Sequence, residues 1–188
     1  MLDGPWTRKR EIEQMVDQQR ALTLAKEAFD LWEAGSLAEA AERYGQALPL
    51  LDLDHYSTPD IYGEYSAVLA AQGNYGEARI QAQHHLEIDL RQDPDNGSPA
   101  VAVARYFLAE RCLQCKDPEA ALETVAPSIG MAGRLEGILR VVQAAAFVRL
   151  GRRDDAVAAA QAGIAASKSE KQRHNITERL REVLGDHW

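Results

Sequence analysis

Cysteine is scarce. Two residues in 188, Cys112 and Cys115, are too few for a disulfide framework. Aromatics make up only 6%, and 29 acidic residues outnumber 21 basic ones, for a formal net charge of −8. A surface of that sign repels a phosphate backbone, so nucleic acid is not an expected partner. No apolar run approaches the ~18 residues of a membrane span, and no membrane partner is expected. The opening M-L-D-G-P-W-T-R-K-R carries bases with no apolar segment behind them, so no signal peptide is visible and the cytoplasm is the expected compartment. A glycine-rich phosphate loop, a nucleophile elbow and a plausible Ser/His/Asp grouping are also missing. The expectation is a protein that is not an enzyme and carries no cofactor.

What is present is alanine, within a hydrophobic content of 46%. Many small apolar residues with few β-branched runs favour closely packed helices. Seven prolines and thirteen glycines punctuate the chain. Residues 1–6 read as a short tail, and Thr7 is positioned to cap a helix that runs to Ala34. Along it Ile12, Met15, Val16, Leu22, Ala25, Phe29 and Trp32 recur at three- and four-residue spacing. It is one long helix, or two bent near Gln18-Gln19 where the stripe thins. Residues 7–20 either cap the helices downstream or offer their stripe to a partner.

Gly35 ends that helix as a left-handed residue would, and Ser36 with Glu39 forms a candidate capping box for the next. Leu37, Ala40, Ala41, Tyr44, Ala47 and Leu48 face inward, and Pro49 ends the helix. The register then returns. With Ala40 as anchor, Ala28, Leu31, Gly35, Tyr44 and Ala47 lie 12, 9 and 5 before and 4 and 7 after. The same offsets from Ala78 give Ser66, Leu69, Gly73, Ala82 and His85. From Ala121 they give Ala109, Cys112, Lys116, Val125 and Ser128, and from Ala156 they give Ala144, Phe147, Gly151, Ala160 and Gly163. Hairpins of this length repeated in register form solenoids. The extra residues between anchors fall in H-Y-S-T-P-D and D-P-D-N-G-S, which are loop chemistry.

On these residues the chain resembles the tetratricopeptide-repeat (TPR) family, whose second helices carry A-x3-aromatic-x2-A, here Ala40, Tyr44 and Ala47 after Ala28 and Gly35. Residues 21–168 carry the likeness. The third unit departs from it, with Lys116 at the turn glycine and Pro127 cutting its second helix short. The resemblance implies an all-α, right-handed α-α superhelix of four helical hairpins with extra helices at both ends. The repeats span 21–53, 59–93, 98–130 and 133–168, and the chain is read as one domain. A final helix over 169–185 begins at Ser169 with Gln172 as a capping box. It buries Ile176, Leu180, Val183 and Leu184, exposes Glu178, Arg179, Arg181 and Glu182, and stops at Gly185. The tail beyond it is read as mobile.

Small groupings carry little chemistry. Cys112 and Cys115 sit at a helix C-terminus, which disfavours thiolates, and no second ligand pair stands at zinc spacing. His84 and His85 point about 100° apart on a helix and cannot share an ion. His85 falls on a core position. D-P-D-N-G-S lacks carboxylates where a calcium loop needs them, so it reads as a plain turn.

The resemblance also implies that first helices line a concave face that holds a peptide or helix. Its lining is Leu22, Ala25, Phe29, Trp32 and Glu33 in the first unit, and Asp60, Gly63, Ala67, Ala70 and Ala71 in the second. The third contributes Val103, Tyr106, Glu110, Leu113 and Gln114, and the fourth Ile138, Val141, Ala145, Val148 and Arg149. Of these, Leu22, Phe29, Trp32, Tyr106, Glu110, Leu113, Val141, Val148 and Arg149 are the candidate partner-binding residues. Such a groove, mainly apolar and small, suits an amphipathic helix, unless a terminal helix of the chain fills it. The expected function is a non-catalytic adaptor or chaperone-like protein with a protein or peptide partner. Two alternatives stand beside it: a self-assembly module forming a homo-oligomer through the N-terminal stripe, and a domain sensing a ligand or signalling peptide.

Overall fold

The structure is a computed structural model, and it describes the backbone of residues 5–185 and the side chains from Gln14 to Gly185. The side chains of Thr7 and Ile12, the first residues of the expected tail and the C-terminal tail beyond Gly185 lie outside the described residues. Among the described residues there is no strand. The helices are α1 (Pro5–Glu33), α2 (Leu37–Ala47), α3 (Thr58–Ala71), α4 (Tyr75–Gln92), α5 (Pro99–Gln114), α6 (Pro118–Val125), α7 (Glu136–Arg149), α8 (Arg153–Ala165) and α9 (Glu170–Leu184). Of the two readings of the first segment, the single helix is the one formed. No helix among the described residues is long and apolar enough to cross a membrane.

One local device sets the register of every hairpin. After α1, Gly35 has φ 81°, its N–H bonds to the Trp32 carbonyl, and the Ser36 N–H reaches back to Leu31 O at 2.9 Å. This paired closure of a helix C-terminus is the Schellman motif. It recurs after α3 (Gly73 to Ala70, Asn74 to Leu69), after α5 (Lys116 to Leu113, Asp117 to Cys112) and after α7 (Gly151 to Val148, Arg152 to Phe147). Lys116 adopts φ 61°, the single left-handed non-glycine among the described residues. The turn geometry therefore survives the loss of its glycine in the third unit.

The anchors follow at once. The Ala40, Ala78, Ala121 and Ala156 N–H groups each bond to the carbonyl four residues earlier. All four alanines are fully buried, as are Ala28, Ala109 and Ala144, with Ser66 nearly so. Small residues there let paired helices approach closely. Ser66 also donates its hydroxyl to the Ala78 carbonyl at 2.8 Å, tying α3 to α4.

Capping differs from expectation at two sites. Ser36 makes no side-chain cap bond. At the equivalent place in the third unit, the longer arm of Asp117 does reach, accepting from Ala120 N at 3.1 Å. Ser169 caps α9 by accepting from Gln172 N, while the Gln172 carbonyl oxygen accepts from Lys168 N rather than from the cap residue itself. Both second-helix prolines act as expected: α2 ends in the 3-10 turn Leu48–Leu50, and α6 in Ala126–Ser128.

Contacts group into two compact units, Met1–Ile88 and Asp89–Trp188. The core of the first gathers Ala25, Ala28, Ala40, Tyr44, Ile61 and Val68, with Leu22, Trp32 and Tyr65 packed at its edge. His85 is buried against Gly63, where a Cβ would sit 2.8 Å from its Nδ1. The core of the second gathers Val141, Ala144, Ala159, Ala160, Ile176 and Leu180, so α9 covers α7 and α8 with the stripe the sequence indicated. The D-P-D-N-G-S segment is a turn in which Asp95 accepts from Gly97 N. Its Asn96 is held from two sides, by the buried Arg105 guanidinium and by Ser128.

Candidate functional site

In the first unit, α1 and α3 lie side by side and leave a trough of about 450 Å³ between them. Leu22, Ala25, Phe29 and Ile61 form its apolar floor; Lys26, Asp30, Ser57, Asp60 and Glu64 form its flanks. Phe29 is 39% exposed, so part of its ring is open to a ligand in the trough. It is propped edge-on against Trp32, with ring centroids 5.8 Å apart. Trp32 itself packs into the core.

The flanks correct the expectation of an apolar, small lining. Lys26 is matched by Asp30, Nζ to Oδ2 2.6 Å. That leaves two carboxylates on α3, Asp60 and Glu64, one helical turn apart. Glu64 is held by the Tyr44 hydroxyl, which donates to its Oε2 at 3.0 Å. Burial pushes the Glu64 carboxyl above its ordinary range, the Tyr44 bond pulls it down, and the Asp60 charge raises it further. Burial likewise raises the Tyr44 and Tyr65 hydroxyls, and the two rings stack at 5.7 Å.

A second hollow, about 380 Å³, adjoins the first at Leu22 and is lined by Gln14, Met15, Gln18, Gln19, Asp52 and His55. Gln18 is 7% exposed; its Oε1 accepts from Asp52 N at 2.6 Å, and its Nε2 has no partner. Because Oε1 is fixed by a backbone N–H, the orphan atom is the donor end of the amide.

In the second unit the expected lining is largely closed over. Tyr106, Leu113 and Val141 are buried. The Tyr106 hydroxyl donates to Glu110 and receives a hydrogen bond from Arg179 on α9 at 3.2 Å. Burial and Glu110 push that phenol up to about 12. Arg149 donates to the Leu113 carbonyl, joining α7 to the end of α5. Val148, 40% exposed, borders a hollow of about 230 Å³ with Gly151, Arg153, Val183 and Leu184. Here α9 covers part of the face expected to hold a partner.

The structure thus brings Leu22, Ala25, Phe29 and Asp60 together, and Tyr106, Glu110 and Arg179 in a separate cluster. Gly63 faces His85 rather than the trough. Sequence reasoning missed Lys26, Asp30, Ile61 and Glu64, each one residue after a position on the expected strip. Cys112 is buried and Cys115 half-buried. No three His, Cys, Asp or Glu side chains converge as metal ligands among the described residues.

No protein-family model and no curated protein matches the chain. Among solved structures the chain is similar to YrrB, described as a TPR protein with an unusual peptide-binding site. The TM-score is 0.57 at 17% identity, over 95% of this chain and 93% of that one. At that identity the likeness shows the fold, and the four-fold turn register agrees with it.

Proposed function

We propose that this chain, whose fold is that of a tetratricopeptide-repeat protein, is a non-catalytic interaction module of the adaptor or chaperone-like kind that holds a partner segment along its first helices. The observation that carries this reading is the α1–α3 trough, with the partly exposed Phe29 ring on its floor. The peptide-binding site named for YrrB supports it by analogy. First helices offer side chains on a regular backbone frame, which limits the ordering that the protein itself must undergo on binding. The test is a phage-displayed library of random dodecapeptides, panned on the wild-type protein and counter-screened on Phe29→Glu. Clones that bind the first and not the second are expected; an absence of such clones rejects the reading.

A second reading, self-assembly through α1, has its own observation: Met15 is 66% and Val16 58% exposed. Light scattering on the wild type and on Met15→Lys/Val16→Lys separates the two. A dimer mass that falls to monomer in the variant supports assembly, and monomer masses in both reject it.

A further inference from the structure

The trough is apolar on its floor and acidic on its flank, and the acids have no base of their own. Asp60 and Glu64 lie at i and i+4 on α3, a spacing at which like charges repel. Lys26 is already engaged by Asp30, and no described basic side chain pairs with either α3 carboxylate. The Tyr44 hydroxyl holds Glu64 but brings no charge.

Each of these asks for something from outside. Two adjacent carboxylates ask for a cation, and the floor around Phe29 asks for a large apolar side chain. A peptide segment is the ligand that carries both. We infer that the α1–α3 trough selects a basic amphipathic segment of a partner protein, one that sets Lys or Arg between Asp60 and Glu64 and an apolar side chain against Phe29 and Ile61. This rests on the interaction reading above and adds the chemistry of the partner. Charge pairing between a trough and its ligand sets selectivity and on-rate more than raw affinity. The segment should therefore be distinguished from an otherwise equal acidic one chiefly by repulsion.

The same library supplies the probe. Clones bound by the wild type and lost on Phe29→Glu are sequenced, and the most enriched is synthesised with a fluorescein label. Its binding is followed by anisotropy against the wild type, Asp60→Asn and Asp60→Asn/Glu64→Gln. Glutamine at 64 still accepts the Tyr44 hydrogen bond, and Asp60 is an exposed side chain, so neither change removes a packing contact and Asp60→Asn alone gives a second reading. Three results together are expected. Clones are enriched in Lys and Arg beside Leu, Ile, Met or Phe, affinity falls about tenfold in the double variant, and the wild-type affinity weakens with added salt. Clones that respond to Phe29→Glu but show no cationic excess, or bind the double variant as well as the wild type, overturn the charge assignment while leaving the interaction reading in place. If no clone responds to Phe29→Glu, both fall.

Discussion

Exchanging the turn residues tests whether one backbone motif sets the hairpin register. Gly73 closes α3 with φ 78°, and a Cβ added there meets nothing within 4 Å. The cost of Gly73→Ala is therefore pure backbone strain, ~1–2 kcal/mol for an L-residue in the left-handed region. The restricted unfolded chain returns part of it, ~0.4–1 kcal/mol, leaving a net loss of about 1 kcal/mol. Lys116 is the converse case. It occupies the same turn at φ 61° and makes the same two backbone hydrogen bonds, so Lys116→Gly relieves strain and loses only chain entropy. It should stabilise by ~0.5–1 kcal/mol. For a chain of this size, 1 kcal/mol moves the melting midpoint by about 2–4 °C. Thermal melts and urea titrations followed by far-UV circular dichroism read both variants, and the pair should shift in opposite directions. If Lys116→Gly melts earlier than the wild type, or Gly73→Ala melts with it, the turn does not store the strain assigned to it.

Ala40→Leu and Ala78→Leu force three extra carbons into fully buried positions and should each lose ~1–3 kcal/mol by the same titration; unchanged midpoints would reject close helix approach at the anchors. Gly63→Ala puts a Cβ against the His85 ring and should cost a similar ~1–3 kcal/mol, with His85→Ala in the same chain recovering part of the loss, a non-additivity that a double-mutant cycle measures. Glu64 has a folded-state pKa raised above its usual 4.5, so the native state holds its proton more tightly than the unfolded chain. Its contribution to stability is present at low pH and is lost as pH rises through and above 4.5. Glu64→Gln should accordingly leave acid stability unchanged and raise the neutral-pH midpoint relative to the wild type. Tyr106→Phe removes the hydroxyl that joins Glu110 to Arg179 and should lose ~1 kcal/mol; faster hydrogen exchange in α9 than in α8 is the expected signature.

Legibility in the sequence followed the range of the interaction. Turn and anchor positions depend on bonds within a few residues, so Gly35, Gly73 and Gly151 declare themselves, and even Lys116 is betrayed by its offset from Ala121. The α9 stripe is legible for the same reason. Ser36 misleads because a short hydroxyl and a cap position are not enough; the backbone there leaves the oxygen out of reach where Asp117 succeeds. The Tyr106–Arg179 pairing joins residues far apart in the chain, and nothing local announces it.

The chemistry of the trough is harder to read than its position. A strip of equivalent residues chosen on each first helix gives the face turned toward an open groove. A trough between two helices is also lined by the flank each turns toward the other, one residue on and about 100° around. Leu22, Ala25, Phe29 and Asp60 are on the strip, while Lys26, Asp30, Ile61 and Glu64 each stand one residue on. On α1 the strip is apolar because it is shared with the core: Leu22 and Ala25 belong to the cluster that holds Ala28 and Tyr44. Their α1 neighbours Lys26 and Asp30 are free of that duty and carry charge, whereas on α3 the core residue is Ile61 and the strip itself carries Asp60. Reading the α1 strip alone therefore yields a hydrophobic site with no preference, and the proposed charge selectivity comes from the carboxylates of α3. In the proposed complex, apolar contacts to Phe29 would supply much of the affinity for any segment that fits, and the α3 carboxylates would decide among them.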